Sequence, residues 1–145
     1  MGFREHLIEK KTTNCRHFNG IMNDCCDAGV NYDVLREGDK YNLPCLKLNL
    51  SVKKDPAKCD KFEVMTPEEA AASADETVAR GDNTLLAMRA AHADAKAKNL
   101  GKGKGGADSI PCPTGCGGTL HYRVASYNGH MHAQCSTNGC VSWME

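Results

Sequence analysis

The stretch of sequence that decides the fold runs from residue 112 to residue 140: CPTGCGGTLHYRVASYNGHMHAQCSTNGC. It begins with a C-x3-C pair and ends with a C-x4-C pair, and 18 residues separate the two pairs. Zinc prefers four soft ligands arranged tetrahedrally, and each short cysteine turn supplies two thiolates. The spacing therefore predicts a zinc site, with a single iron ion as the competing metal. Its ligands are Cys112, Cys116, Cys135 and Cys140.

Between the two cysteine pairs, the sequence alternates as the strands of a β-hairpin. Residues 119–126 and 130–135 flank the dipeptide Asn128-Gly129, which is typical of a two-residue type I′ turn. Such a turn would place Arg123 opposite Gln134. The sequence therefore predicts a zinc ribbon over residues 111–145.

The two faces of this hairpin differ in polarity. One alternating set of side chains is apolar and is predicted to be buried: Leu120, Tyr122, Val124, Met131 and Ala133. The other set combines an arginine and a tyrosine with three imidazoles, groups that stack on bases or contact phosphates. A polar face that is merely solvated is the alternative. The candidate binding residues for a nucleic acid or a protein are His121, Arg123, Tyr127, His130 and His132.

Two segments precede the ribbon. Residues 101–110 begin with GKGKGG, and this glycine content predicts a flexible linker. Residues 66–100 are predicted to be a helical spacer, because TPEE at 66–69 forms a capping box with proline at the first helical position and alanines follow. The sequence GDN at 81–83 predicts a break between two helices, and Gly101 predicts the end of the second.

The N-terminal residues 1–65 are predicted to form an irregular, cysteine-rich metal-binding module. Its cysteines include no closely spaced pair of the zinc-knuckle type, so separate loops would deliver the ligands. A second zinc ion, a [4Fe-4S] cluster and buried thiols without a metal all fit this pattern, and His17 is an alternative zinc ligand. The candidate ligands, separated by 10, 18 and 13 residues, are Cys15, Cys26, Cys45 and Cys59.

Composition bounds the class of protein. The chain has 145 residues with nine cysteines, yet only three Phe, four Tyr and one Trp. Its apolar surface is therefore limited, and we expect a small α+β protein that metal ions stabilise. Lys and Arg number 18, as do Asp and Glu, which argues against a strongly basic nucleic-acid clamp and favours a protein partner over free DNA.

The sequence shows neither a membrane span nor a secretory signal, and this bears on the cellular compartment. No apolar run is long enough for a membrane span, and the N-terminus has no secretory signal pattern. We therefore expect a cytoplasmic protein with no membrane contact, whose cysteines are metal ligands and not disulfides. The carboxylates are scattered, so no catalytic residue is assigned.

Several blocks of the chain resemble small cysteine-rich, zinc-ribbon-containing proteins of tailed phages and prophages. The matching blocks are CRHFNG at 15–20, CDAGVNY at 26–32, LPC at 43–45, TPEE at 66–69, YNGHMHAQC at 127–135 and GCVSWME at 139–145, together with Cys59. The resemblance implies a phage product made in a bacterial host cytosol, and it favours Cys26 over Cys25 as a ligand. It supplies no catalytic residue.

Two functions from different classes are consistent with these features. The first is a metal-binding adaptor or regulatory protein that docks on host or phage nucleic-acid machinery through the ribbon, by protein contact, nucleic-acid contact or both. The second is an iron–sulfur redox or sensor protein, with or without enzymatic activity.

Overall fold

The structure is a computed structural model that describes most of the chain: residues 1–20, 22–36, 43–45 and 58–145. Parts of the predicted N-terminal module lie outside the described residues: residue 21, 37–42 and 46–57. The described ranges contain three helices and one four-stranded antiparallel sheet, which confirms the α+β class. Within these ranges, no helix combines the length and the apolar character that crossing a membrane requires.

The chain divides into two compact units, Met1–Glu76 and Thr77–Glu145. The first unit contains helix α1 (Phe3–Thr13) and the short helix α2 (Tyr32–Arg36). The prediction of an irregular module is therefore wrong for these two segments. Helix α1 is only weakly amphipathic and buries none of its residues, so its apolar pattern does not predict a helix.

Helix α3 (Pro67–Ala97) begins at the predicted capping box. The Glu69 amide donates to Thr66 Oγ1 at 3.2 Å, and the Thr66 amide donates to Glu69 Oε2 at 3.0 Å, which confirms the predicted start. The predicted break at residues 81–83 is wrong, since α3 continues through them. A single glycine costs a helix only about 1 kcal/mol relative to alanine, which a long helix can absorb.

Helix α3 ends before the glycine that was predicted to end it. Asn99 adopts a left-handed conformation, with φ of 56°. The Leu100 amide donates to the Ala95 carbonyl at 2.8 Å, and the Asn99 amide donates to the Lys96 carbonyl at 3.0 Å. This pair of bonds is the Schellman pattern, with asparagine in the position that glycine usually takes.

The sheet has four strands in the order β1-β2-β3-β4, and every neighbouring pair is antiparallel. The strands are β1 (Gly106–Pro111), β2 (Thr119–Val124), β3 (Met131–Cys135) and β4 (Ser142–Met144). The predicted hairpin is therefore the centre of a wider sheet, because β1 pairs with β2 and β4 pairs with β3.

The predicted flexible linker, residues 101–110, has a defined structure instead. The Gly101 amide donates to the Lys104 carbonyl at 2.9 Å in a closed turn, and β1 follows directly. Glycine is required here by close packing, since a Cβ on Gly105 would lie 2.7 Å from the Ser126 amide nitrogen. The glycines thus allow two backbones to approach, and the prediction of flexibility is wrong for this segment.

The hairpin loop differs from the predicted two-residue turn. The Ala125 amide donates to the His130 carbonyl at 2.9 Å, so the loop spans residues 126–129. Arg123 therefore lies opposite His132, and the predicted pairing with Gln134 is wrong. The shift equals two residues, so each side chain keeps its predicted face because strand side chains alternate with a period of two.

The apolar face of the sheet is buried as predicted, by Leu120, Tyr122, Val124, Met131 and Ala133. Three buried alanines of α3, Ala87, Ala91 and Ala95, belong to the same core. Trp143 pairs with Ala133 in the sheet and packs against this core. Small residues on the helix allow its backbone to lie close to the sheet.

A polar network joins α3 to the sheet within the C-terminal unit, Thr77–Glu145. The Tyr122 hydroxyl donates to Asp94 Oδ2 at 2.6 Å, and Lys98 lies 2.7 Å from Asp94 and 2.6 Å from Asp108. Burial, followed by the hydrogen bond to Asp94, raises the pKa of Tyr122 to about 12, so its hydroxyl remains a donor.

We expect Tyr122→Phe to lower the free energy of unfolding of the C-terminal unit by about 1 to 2 kcal/mol, because it removes a hydrogen bond to a charged acceptor. Urea unfolding of the full chain measures this difference. Tyr127→Phe is the matched control, since it removes the same hydroxyl from a side chain that is 88% exposed. Equal stability of the two variants would show that the network contributes nothing.

Candidate metal centre and sheet surface

Four cysteines converge at one end of the sheet. Cys112 follows β1, Cys116 lies in the turn before β2, Cys135 ends β3 and Cys140 precedes β4. Their sulfur atoms all lie within 4.8 Å of one another, and the described residues contain no other such group. We call these four residues the tetracysteine group.

The closest sulfurs belong to different cysteine pairs of the sequence. Cys112 Sγ lies 3.8 Å from Cys140 Sγ, and Cys116 Sγ lies 3.5 Å from Cys135 Sγ. A zinc ion with Zn–S bonds of about 2.3 Å would space its sulfurs by about 3.8 Å in a tetrahedron. The observed spacing and the all-sulfur donor set therefore fit a thiophilic metal ion, which the tetracysteine group could hold.

The backbone around the group is arranged to support charged sulfurs. The amide two residues after Cys116 and the amide two residues after Cys135 each point at the sulfur of that cysteine, at 3.4 Å. The first of these amides belongs to Gly118, where a Cβ would lie 3.0 Å from Cys135 Sγ and would overlap the Thr137 hydroxyl. Glycine is therefore needed here for the turn to close around the sulfurs.

Two threonine hydroxyls also contact the group, and sequence reasoning missed them. Thr114 Oγ1 lies 3.2 Å from Cys112 Sγ and 3.3 Å from Cys140 Sγ. The Thr137 hydroxyl, followed by the Gly118 amide, lowers the pKa of Cys116 to about 5. Their position inside each cysteine turn was a signal, but the spacing alone does not show that a hydroxyl points inward.

The four N-terminal candidate ligands occupy a different kind of environment. Cys15, Cys26 and Cys45 are buried and share a small core with the fully enclosed Tyr32 and Leu43. Cys59 is half-buried, and Cys25 is exposed. Burial, followed by the charges of the three other candidate sulfurs, raises the pKa of Cys45 to about 11.

The N-terminal sulfurs are more widely spaced than those of the tetracysteine group, since they do not all lie within 4.8 Å of one another. His17, the alternative ligand, is directed elsewhere: its Nε2 lies 3.2 Å from Glu63 Oε2. The structure thus brings three of the four predicted cysteines into one core and places the histidine in contact with Glu63.

The outer face of the sheet carries three of the five predicted binding residues. Arg123 lies opposite His132, and His121 lies opposite Gln134. His121, Arg123 and His132 line an open depression of about 820 Å³, and Ser109 is among the other residues that line it. Tyr127 and His130 are also exposed, but they lie at the hairpin loop and do not line the depression.

A turn with two lysines lies beside this hairpin loop. The Gly103 amide donates to the Ser126 carbonyl at 2.7 Å, and a Cβ on Gly129 would lie 2.9 Å from the Lys102 amide nitrogen. Lys102 and Lys104 are both exposed there. Sequence reasoning treated these lysines as part of a mobile tether, whereas the structure fixes them next to the loop that carries Tyr127.

The described residues thus define an α+β protein with a tetracysteine group at the end of an antiparallel sheet. Comparisons with protein families, with curated proteins and with solved structures find no match. The tetracysteine group and the outer face of the sheet are the two features from which a function can be inferred.

Proposed function

We propose that the C-terminal unit is a zinc ribbon whose outer sheet face binds a single-stranded nucleic acid. In this proposal the protein is a metal-binding adaptor or regulatory protein that docks on host or phage nucleic-acid machinery in a bacterial cytosol. The resemblance of its cysteine blocks to phage proteins supports a role in a bacterial cytosol. The side chains of the outer sheet face support binding of a single-stranded nucleic acid.

Zinc is the metal that the tetracysteine group favours. Four cysteine ligands leave no open coordination position, which is typical of structural zinc. The two amides that point at Cys116 and Cys135 offset thiolate charge. Zinc would hold the ends of β1 and β3 together, so that the metal and the sheet form one folding unit.

The observation that carries the proposal is the charge of the outer face. Among the described strands, the side chains that alternate onto this face include Arg123 and two histidines but no carboxylate. Asp108, at the edge of the depression, is engaged by Lys98. An arginine flanked by two imidazoles, on a face whose strand side chains include no carboxylate, favours an anionic partner, and phosphate contacts supply much of the affinity of nucleic-acid complexes.

The hairpin loop extends this surface. Tyr127 is 88% exposed, and base stacking on an aromatic side chain is worth about 1–3 kcal/mol per base. Lys102 and Lys104 lie beside it, so a strand that stacks on Tyr127 would pass close to two further cations. Strands that are already single can offer both bases and phosphates to such a surface.

We expect Arg123→Ala combined with Tyr127→Ala to weaken binding of a short, labelled, mixed-sequence single-stranded oligonucleotide by about tenfold or more, because one phosphate contact and one stacking platform are lost. Fluorescence anisotropy at two salt concentrations measures both the affinity and its salt dependence.

Arg89→Ala is the matched control, because it removes one exposed arginine from α3, which packs on the opposite face of the sheet. Its affinity should equal that of the wild type. If the double variant also binds as tightly as the wild type, or if the wild type does not bind, the nucleic-acid proposal is wrong. If the full chain instead bound a protein component of the replication or transcription machinery, that result would support docking by protein contact.

The second predicted function, an iron–sulfur redox or sensor protein, depends on the N-terminal cysteines. It requires iron and sulfide at Cys15, Cys26, Cys45 and Cys59. The tetracysteine group and the outer face do not bear on it, so it stays a prediction.

A further inference from the structure

Within the residues that the structure describes, the core of the N-terminal unit, Met1–Glu76, contains few large apolar side chains. Among the described residues of this core, only Tyr32 and Leu43 are large side chains that are completely enclosed. The remaining buried members are the three thiols of Cys15, Cys26 and Cys45. Small folds with so little apolar burial usually need disulfides or metal ions, and all nine cysteines of the chain are free.

Three of the candidate cysteines occupy equivalent positions in the backbone. The carbonyl of Cys15 accepts the amide of the third residue after it at 3.2 Å, and Cys26 and Cys59 do the same at 2.9 Å and 3.3 Å. Each of these cysteines therefore begins a tight turn. Turns of this kind present a side chain from a loop without committing it to a helix or a strand, as metal ligands on separate loops require.

Backbone and ion-pair contacts draw these loops together. The Cys15 amide donates to the Cys45 carbonyl at 2.7 Å, and the neighbouring Arg16 amide donates to the Glu63 carbonyl at 2.6 Å. The Arg16 guanidinium also contacts the carboxylates of Glu63 and Glu69, each at 3.1 Å. The segment that follows Cys59 is thus fastened beside Cys15, and Cys15 is fastened to Cys45.

The adjacent residues Cys25 and Cys26 show which thiol belongs to the core. Cys26 is buried with Cys15 and Cys45, whereas Cys25 is exposed in an isolated bridge with Asn31. Two neighbouring thiols thus face opposite environments. Cys26 is therefore the candidate ligand, and Cys25 is a matched control for its substitution.

We infer that Cys15, Cys26, Cys45 and Cys59 together hold a second thiolate-bound metal centre, separate from the tetracysteine group. The shared chemistry is four cysteine sulfurs on one centre, which either a zinc ion or a [4Fe-4S] cluster satisfies. The four sulfurs do not all lie within 4.8 Å of one another, and a cluster tolerates a wider sulfur spacing than a single ion, because several metal and sulfide atoms lie between its ligands. A single zinc ion requires the loops to draw inward.

The test compares three variants of the full chain purified without oxygen: Cys26→Ser, its matched control Cys25→Ser, and Cys112→Ser. Zinc, iron and acid-labile sulfide are measured per chain for each, together with the wild type. We expect Cys26→Ser to lose one metal centre relative to the wild type, and Cys25→Ser to lose none. Iron lost together with sulfide identifies a cluster, zinc lost alone identifies an ion, and both support the inference.

Cys112→Ser keeps the test decisive if Cys26→Ser fails to fold. Because this variant loses the tetracysteine site, any metal that it retains belongs to the N-terminal cysteines, and we expect it to retain one centre. A wild type with a single metal that Cys112→Ser removes entirely would overturn the inference. So would equal metal contents in soluble Cys26→Ser and Cys25→Ser. Neither result would affect the proposed binding by the outer face.

Discussion

Replacing Cys112 by serine is expected to unfold the sheet of the C-terminal unit. The variant loses a buried cysteine whose sulfur lies 3.8 Å from Cys140 Sγ. Structural zinc contributes on the order of 10 kcal/mol to the folding of small zinc modules, which is comparable to the whole stability of a domain. Amide hydrogen exchange should therefore show that protection is lost along β2 and β3.

Two comparisons make this result specific. Serine substituted at the exposed Cys25 should leave the protection of the sheet unchanged, since it alters a thiol outside both candidate sites. The wild type treated with a strong chelator should lose protection in the same strands as Cys112→Ser. Full protection of β2 and β3 in the variant would mean that the apolar core alone holds the sheet.

Replacing Leu120 by alanine has the second largest expected effect. Leu120 is completely buried in the core between the sheet and α3. Truncating a buried leucine costs about 2–5 kcal/mol, because the transfer free energy is lost and a cavity remains. We expect urea unfolding of the metal-loaded protein to show this loss, while the metal content stays equal to that of the wild type.

Leu85→Ala is the matched control for Leu120→Ala. It makes the same chemical change on α3, where Leu85 is 52% exposed, so its effect should be within about 0.5 kcal/mol. A Leu120→Ala variant as stable as the wild type would show that metal binding, and not packing, determines the stability of this unit.

The sequence predicted features that depend on spacing and alternation. The four cysteines of the tetracysteine group were identified from their spacing, and Leu120 and Met131 were assigned to the buried face from the period of two. That assignment is confirmed although the predicted turn type is wrong, because the actual loop shifts the strand pairing by two residues. A shift of one residue would have exchanged the faces.

Other features depend on packing and were not predictable from the sequence. The glycines at residues 101–106 indicated flexibility, yet Gly105 is needed because Ser126 lies against it. In α3 the large apolar residues Leu85 and Leu86 are exposed, whereas small alanines such as Ala91 are buried. Residue size relative to a neighbouring surface decides such cases, and the sequence does not give that surface.

The threonines near the sulfurs illustrate the same limit at the site. Thr114 and Thr137 contact the tetracysteine group only because the cysteine turns curl in a particular way. Sequence spacing identified the four cysteines that converge, but the hydrogen bonds around their sulfurs depend on the conformation of the turns.

The metal content of the natively purified full chain decides whether cysteine-bound metal holds the C-terminal unit together. Native mass spectrometry of the wild type and of Cys112→Ser, side by side, gives the number and identity of bound ions. We predict that the wild type carries one zinc ion more than the variant. A wild type without metal, or two proteins with the same metal content, would contradict this assignment.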